Sequence, residues 1–194
     1  MKKIVISTLL ATTLLLSNSS ANNSSINSTS KIVESYEKLA SQGEIEAMFN
    51  LGLIYLTGDG AKQDYTKAKE WFLKAANKND TMSAYNLALI YKNGLGVPKN
   101  DKEAYKYFLI AANKNYAQAQ YMLGNMIEKG QGAKKDLKEA FSWFLKAAKQ
   151  GHILSEYRVG KMYRLGEGVA KSDTEAKKWY ELSANKGNSF AQVN

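Results

Sequence analysis

The sequence predicts an all-α solenoid of about four helix-turn-helix repeats, each 36 residues long. A Gly-x-Gly triplet recurs four times at that constant spacing, and the same shift aligns apolar, small and aromatic positions. Within each unit the apolar positions follow the period of an α-helix. A constant period without insertions is typical of units that stack into one continuous core. The four triplets are Gly58-Asp59-Gly60, Gly94-Leu95-Gly96, Gly130-Gln131-Gly132 and Gly166-Glu167-Gly168.

Residues 1–21 have the pattern of a secretory signal peptide, with cleavage expected after Ala21. Lys2 and Lys3 precede an apolar stretch of 13 residues, Ile4–Leu16, which is shorter than the roughly 20 residues of a membrane-spanning helix. An uncleaved anchor is the alternative. Residues 22–30 are mostly Asn, Ser and Thr and predict a flexible polar tether. We therefore expect a periplasmic or secreted protein of a bacterial envelope that is not an integral membrane protein after leader cleavage.

The first helix of each unit, which we call helix A, is predicted from an apolar stripe. In the first unit Ala47, Leu51, Ile54 and Tyr55 recur at positions i, i+4, i+7 and i+8. Gly52 lies beside this stripe, where a glycine costs about 1 kcal/mol relative to alanine. Its recurrence in three of the four units predicts that a neighbouring helix approaches closely at this point.

The second helix, helix B, is predicted to begin a few residues after the Gly-x-Gly turn. Each unit has a good N-cap residue there, and a glutamate follows three positions later in three of the four units, which predicts a capping box. Large rings and pairs of alanines then alternate. The rings are expected to fill the core, and the alanines to allow the next helix to pack closely. The predicted N-cap residues are Asp64, Asn100, Asp136 and Ser172.

These residues resemble the Sel-one-like repeat (SLR) family, whose units form a tetratricopeptide-like α/α superhelix. The pattern that carries the resemblance runs from Ala47 to Gly60 and from Lys67 to Ala76. We expect the solenoid to extend over residues 31–194, with partial helices at both ends. Its four full units are 44–79, 80–115, 116–151 and 152–187.

The resemblance implies a binding scaffold that uses the concave side, which helix A lines. On that side the sequence predicts an aromatic ladder with amide and guanidinium groups beside it, a combination that suits peptide recognition. The partner is expected to be a protein or peptide, with an envelope or cell-wall component as a further possibility. The alternative is that the rings only pack against helix B of a neighbouring unit. The candidate binding residues are Phe49, Asn50, Tyr85, Asn86, Tyr121, Asn125, Tyr157, Arg158, Lys161 and Arg164.

Composition argues against most catalytic chemistry. The chain has no cysteine and one histidine, His152, which excludes a thiolate metal site, a cysteine nucleophile and a multi-histidine metal centre. We expect no cofactor, no metal and no catalytic residues. His152 opens the fourth unit, where we expect an exposed side chain without a serine or cysteine partner.

Two other functions stay open. A secreted, cysteine-rich branch of the family is associated with penicillin binding and weak β-lactamase activity, so a β-lactamase-like hydrolase is one alternative. The cysteines of that branch are missing here, and the Ser-x-x-Lys pairs Ser28/Lys31 and Ser35/Lys38 are no more frequent than the composition predicts. The other alternative is an immunity or host-interaction factor.

The formal net charge of +9 is spread over the whole chain. Lysines occur in every unit, often beside glutamates, as on a solvated helix surface. The sequence has no nucleic-acid-binding motif, and the predicted leader directs the chain away from nucleic acid. We therefore expect no nucleic-acid partner.

Overall fold

The computed structural model of the protein describes residues 31–191, and in this range it contains nine α-helices and no strand. The predicted all-α solenoid is therefore confirmed, whereas the predicted signal peptide, cleavage site and tether lie outside the described residues. No helix in the described range is both long and apolar enough to cross a lipid bilayer. The helices are α1 (31–41), α2 (Ile45–Thr57), α3 (Tyr65–Asn77), α4 (Thr81–Asn93), α5 (Asp101–Asn113), α6 (Ala117–Lys129), α7 (Leu137–Lys149), α8 (Ile153–Leu165) and α9 (Asp173–Asn185).

Helices α2, α4, α6 and α8 are the four helices A, and α3, α5, α7 and α9 are the four helices B. From α2 to α9, each helix packs against the helix before it and the helix after it, and α2 also touches α4. The core lies between these layers, where Phe72, Phe108 and Phe144 are fully buried. The helices B thus supply the large rings, as the sequence predicts.

Helix A and helix B of one unit approach closely at the small residue of helix A. A Cβ atom added to Gly52 would lie 2.5 Å from the ring of Phe72, and one added to Gly124 would lie 2.8 Å from the ring of Phe144. Gly160 faces the ring of Tyr180 in the same way, at 2.9 Å. The close helix packing predicted from the recurrent mid-helix glycine is confirmed.

The two glycines of each Gly-x-Gly turn have different structural roles. The first ends helix A in the left-handed conformation, as Gly130 does with φ of 70°. The second faces the preceding unit: a Cβ atom on Gly132 would lie 2.1 Å from the carbonyl oxygen of Asp101, at the start of α5. Gly168 approaches Leu137 of α7 equally closely. The turn of one unit therefore rests directly on the beginning of helix B in the unit before it.

The N-caps of helix B are formed as predicted, but the capping boxes are not. In each unit the N-cap side chain accepts a hydrogen bond from a backbone N–H of the first turn. The backbone N–H of the N-cap residue donates to a carbonyl of helix A, as Ser172 does to Tyr163 at 2.9 Å, so it does not bond to a glutamate. Glu175 instead pairs with Lys178 on its own helix. The turn places the N-cap against the end of helix A, which takes the donor that a capping box needs.

One position that is apolar in the earlier helices B is acidic in α9. The leucine of the other units is replaced by Glu181, which pairs with Lys177 at 3.9 Å. Ala191 is buried against Ala176 and Tyr180. The chain itself thus covers part of this end of the solenoid.

Replacing Gly132 by alanine should destabilise the protein more than replacing Gly60. Both residues have positive φ, which costs a non-glycine residue about 1–2 kcal/mol. Only Gly132 meets backbone atoms of another unit, whereas the nearest atom to a Cβ on Gly60 is 3.9 Å away. We expect Gly132→Ala to lose about 2 kcal/mol more than Gly60→Ala in urea unfolding followed by circular dichroism. Equal losses of unfolding free energy would show that the contact between units does not contribute to stability.

Candidate functional site

Each ring of the predicted aromatic ladder packs on helix B of its own unit. Phe49, Tyr85, Tyr121 and Tyr157 are all half-buried. Their centroids lie 5.6–5.9 Å from those of the helix B rings Phe72, Phe108, Phe144 and Tyr180, respectively. This corrects the alternative that the rings pack against helix B of a neighbouring unit. One side of each ring is occupied by the core, so the ladder forms a rigid floor.

The rings also join successive units. Tyr85 lies edge-on to Tyr116, the N-cap residue of the next helix A, with centroids 5.2 Å apart. Tyr121 contacts His152, the equivalent N-cap residue, at 4.9 Å. Burial raises the pKa of the Tyr85 and Tyr116 phenols above its usual value. The floor is therefore continuous from the second unit to the fourth.

The predicted amide groups bond to their own helices. The side-chain nitrogen of Asn86 donates to the carbonyl oxygen of Met82 at 2.9 Å, and that of Asn125 donates to Tyr121 at 3.1 Å. Asn50 lines a cavity between α1 and α2. Lys161 is half-buried on α8. The amides are thus held in fixed orientations along the ladder.

Arg158 and Arg164 are both held by aromatic rings, and Arg158 also by an acid. Arg158 forms an ion pair with Glu128 of α6, and its guanidinium lies 5.3 Å from the Phe144 ring. The guanidinium of the more exposed Arg164 lies 5.8 Å from the Tyr180 ring. Arg158 therefore connects units three and four besides contributing charge to the surface.

A cavity of about 450 Å³ lies between α1 and α2. Its walls are mainly apolar, and it includes the predicted residue Asn50 and the neighbouring Leu53. A second cavity, of about 660 Å³, lies at the other side of the units and is lined by lysines and turn residues such as Lys99, Lys102 and Gly132. Only the first is continuous with the candidate binding residues. The lining of the first cavity is Ile32, Val33, Tyr36, Asn50, Leu53, Ile54, Thr57, Asp59 and Gly60.

His152 is not the exposed, unpartnered residue that the sequence suggests. It is half-buried, its Nδ1 accepts the backbone N–H of Ser155 at 3.3 Å, and the Ser155 Oγ lies 2.8 Å from the same atom. Its Nε2 lies 2.8 Å from Oε1 of Gln118 in the preceding unit. Nδ1 acts as an acceptor, so the proton of the neutral ring sits on Nε2 and is donated to Gln118. Ser155 is fully buried, so this pair is structural and cannot reach a substrate.

Two buried polar pairs lock helix A to the end of helix B. Glu156 is 2% exposed, and its Oε1 lies 2.5 Å from Nζ of Lys186. In the third unit the same two positions hold Gln120 and Gln150, joined by a hydrogen bond of 2.7 Å. Sequence reasoning missed these pairs, although both positions change together between units 36 residues apart, which is a usable signal.

Only one of the two Ser-x-x-Lys pairs considered for catalysis lies wholly within the described residues. Ser35 and Lys38 are both exposed on α1, and Ser28 lies outside the described residues. Within residues 31–191, no group of three or more His, Cys, Asp or Glu side chains could hold a metal ion.

Four consecutive segments of the chain, 45–80, 81–116, 117–152 and 153–188, match the model of the Sel1 repeat. The chain belongs to the Sel1 repeat family. The matched segments begin one residue later than the units delineated from the sequence. None of the curated proteins compared with the chain matches it.

Solved Sel1 repeat structures share this fold. One is c5321, described as a protective antigen present in uropathogenic Escherichia coli strains and as displaying an SLR fold, which is 36% identical with a TM-score of 0.80. That match covers 82% of this chain but 34% of the E. coli chain, so this chain spans about a third of its length. A Sel1 repeat protein from Oxalobacter formigenes is 30% identical with a TM-score of 0.77, covering 87% of this chain and 72% of that one.

A more distant structure is cysteine-rich protein B of Helicobacter pylori, with 25% identity and a TM-score of 0.54. The match covers 68% of this chain and 94% of the H. pylori chain. This Sel1 repeat protein has no cysteine, so no disulfide stabilises its units.

The stability of this Sel1 repeat protein should fall as the pH drops below about 6.5. Burial lowers the pKa of His152 from its usual 6.5, against an opposing effect of the Glu156 carboxylate. The unfolded chain therefore binds the proton more readily than the folded one, and stability is complete only above the unfolded pKa. In His152→Asn an amide oxygen can still cap α8 but does not titrate.

Urea unfolding at pH 7 and pH 5.5 tests this expectation. The native protein should lose more stability than His152→Asn over this interval, because it has the only histidine of the chain. Equal losses of stability in the two proteins would mean that His152 has the same pKa in the folded and unfolded states.

Proposed function

We propose that this Sel1 repeat protein is an exported scaffold that binds a protein or peptide partner on its helix A face. We define this face as the side chains that α2, α4, α6 and α8 direct away from the buried Leu51 stripe. It includes all ten predicted binding residues. By resemblance to the family, this is the concave side of the superhelix.

The continuity of the floor is the observation that carries the proposal. Sel1 repeats are helical scaffolds that typically mediate protein–protein interactions, and here four half-buried rings run along four successive helices A. Apolar side chains beside them reach solvent: Met82 is 40% exposed and Leu154 is 45% exposed. A fixed aromatic surface with exposed apolar neighbours binds a partner at little cost in conformational entropy.

Export is supported by the leader pattern and by one relative. The E. coli structure is described as that of a protective antigen present in uropathogenic strains. The present chain is 36% identical to it over most of its own length. A host-interaction factor is compatible with the same proposal, because it would use the same binding surface.

Site-specific photo-cross-linking in native cells tests the binding face. A photoreactive amino acid at Leu89, on α4, should cross-link a discrete partner, because this position lies on the helix A face. The matched control is Lys106 on α5, whose side chain is 59% exposed. Cross-links that form as efficiently from Lys106 as from Leu89 would contradict the proposal.

N-terminal sequencing of the protein from the envelope fraction tests export. The leader pattern predicts a mature chain that begins at Asn22. Ala21→Asp should block processing, because the cleavage site requires a small residue there. Recovery of the unprocessed chain in the cytosol of cells with the native leader would contradict export.

A further inference from the structure

Two columns of equivalent positions on the helix A face begin with leucine in the first unit and end with a cation in the fourth, while a half-buried ring recurs in every unit. One column of equivalent positions holds leucine in the first two units, then asparagine, then lysine. A neighbouring column also begins with leucine and ends with arginine. The first column is Leu53, Leu89, Asn125 and Lys161, and the second is Leu56, Lys92, Glu128 and Arg164. The changes lie above the floor, so they alter what the surface recognises without altering how units stack.

Charge follows the same direction. On the face of α6 and α8, the cations Arg158, Lys161 and Arg164 outnumber the single acid Glu128. On α2 and α4 the face carries one cation, Lys92, and one acid, Glu46. Glu128 is half-buried and already paired with Arg158, so the remaining charge of this end is positive. A carboxylate is the complementary ligand for such a surface.

The opposite end of the face has a place for apolar side chains. The cavity of about 450 Å³ between α1 and α2 opens beside Leu53, the first residue of the changing column. Ile32, Val33 and Ile54 contribute apolar walls, and Ile32 is 51% exposed. A pocket of this size and lining suits one or more aliphatic or aromatic side chains.

The span between the two ends corresponds to a short peptide. The helices A of successive units are neighbours, as shown by the contact of α2 with α4 and the ion pair between α6 and α8. Three steps of about 10 Å each give about 30 Å, which an extended chain covers with roughly nine residues.

We infer that the helix A face binds a partner segment that is apolar at one end and acidic at the other. The apolar end enters the cavity between α1 and α2, and the acidic end lies over Lys161. This inference rests on the proposed function and adds to it the chemistry and the direction of the bound segment.

The test uses three labelled twelve-residue peptides of one composition, with blocked termini. Two carry four leucines in one half and four glutamates in the other, in the two possible orders, and the third alternates leucine with glutamate. Fluorescence anisotropy with the protein starting at Asn22 should show at least one block peptide binding about tenfold more tightly than the alternating peptide. Equal affinities of all three would overturn the inference.

Variants at the two ends test the direction. Lys161→Glu and Leu53→Asn should each weaken binding of the block peptide about tenfold. The milder Lys161→Gln is a second variant for the case that a glutamate beside Glu128 disturbs folding. Lys177→Glu is the matched control, because Lys177 is 78% exposed on the outer face of α9 and has the same charge change. Weakening by Lys177→Glu as large as that by Lys161→Glu would contradict the assigned site.

A spin label on either end of the peptide gives an independent readout. The label on the leucine end should broaden the backbone amide signals of Leu53, and the label on the glutamate end those of Lys161. Broadening of both regions by both labels would overturn a fixed direction. Vesicles containing phosphatidylglycerol are a further arm, and if they bind more tightly than the block peptide in a Lys161-dependent way, the surface is a lipid surface instead.

The experiments distinguish a failure of this inference from a failure of the proposed function. If cross-links form at Leu89 in cells but the block peptides bind no more tightly than the alternating peptide, only the inferred chemistry of the partner segment is wrong. If neither Leu89 nor any peptide reports binding, the proposed function fails with it.

Discussion

The close contact between a small residue of helix A and an aromatic ring of helix B is the constraint on which the rest of the structure depends. Gly124 leaves no room for a Cβ atom beside Phe144, and Gly52 leaves none beside Phe72. This contact sets how near the two helices of a unit lie and where the ring of helix B points. The half-buried ring of helix A then packs on the same helix B ring from the other side, as Tyr121 does on Phe144.

A constant interior leaves the surface free to change. The rings, the turn glycines and the N-caps recur in every unit, so each unit stacks on the next in the same way. Polar pairs can replace one another within this frame, as Gln120 with Gln150 and Glu156 with Lys186 show. The face above the rings can therefore pass from leucine to lysine without loss of the fold. This separation of packing from recognition is typical of repeat proteins, in which each unit contacts only its neighbours.

The sequence predicted what depends on neighbours within one unit. The period, the ends of the helices and the N-caps follow from residues a few positions apart. The glycine at position 124 predicted the close approach of a neighbouring helix. Contacts between units were harder to predict. His152 is hydrogen-bonded to Gln118, 34 positions earlier, and Arg158 pairs with Glu128, 30 positions earlier. The capping boxes failed for a related reason, since helix A supplies the acceptor. The aromatic ladder was predicted from the sequence. Which side of each ring faces solvent depends on packing that a local sequence pattern does not determine.

A double-mutant cycle between Gly124 and Phe144 tests the central contact most directly. Gly124→Ala alone should lose about 2 kcal/mol of unfolding free energy, because the added methyl overlaps the ring. In the Phe144→Leu background the same change should cost less than about 0.5 kcal/mol, since the methyl then fills space that the smaller side chain leaves, giving a coupling above about 1 kcal/mol. Additive losses in the two backgrounds would contradict the account, because they would show that the glycine and the ring act independently.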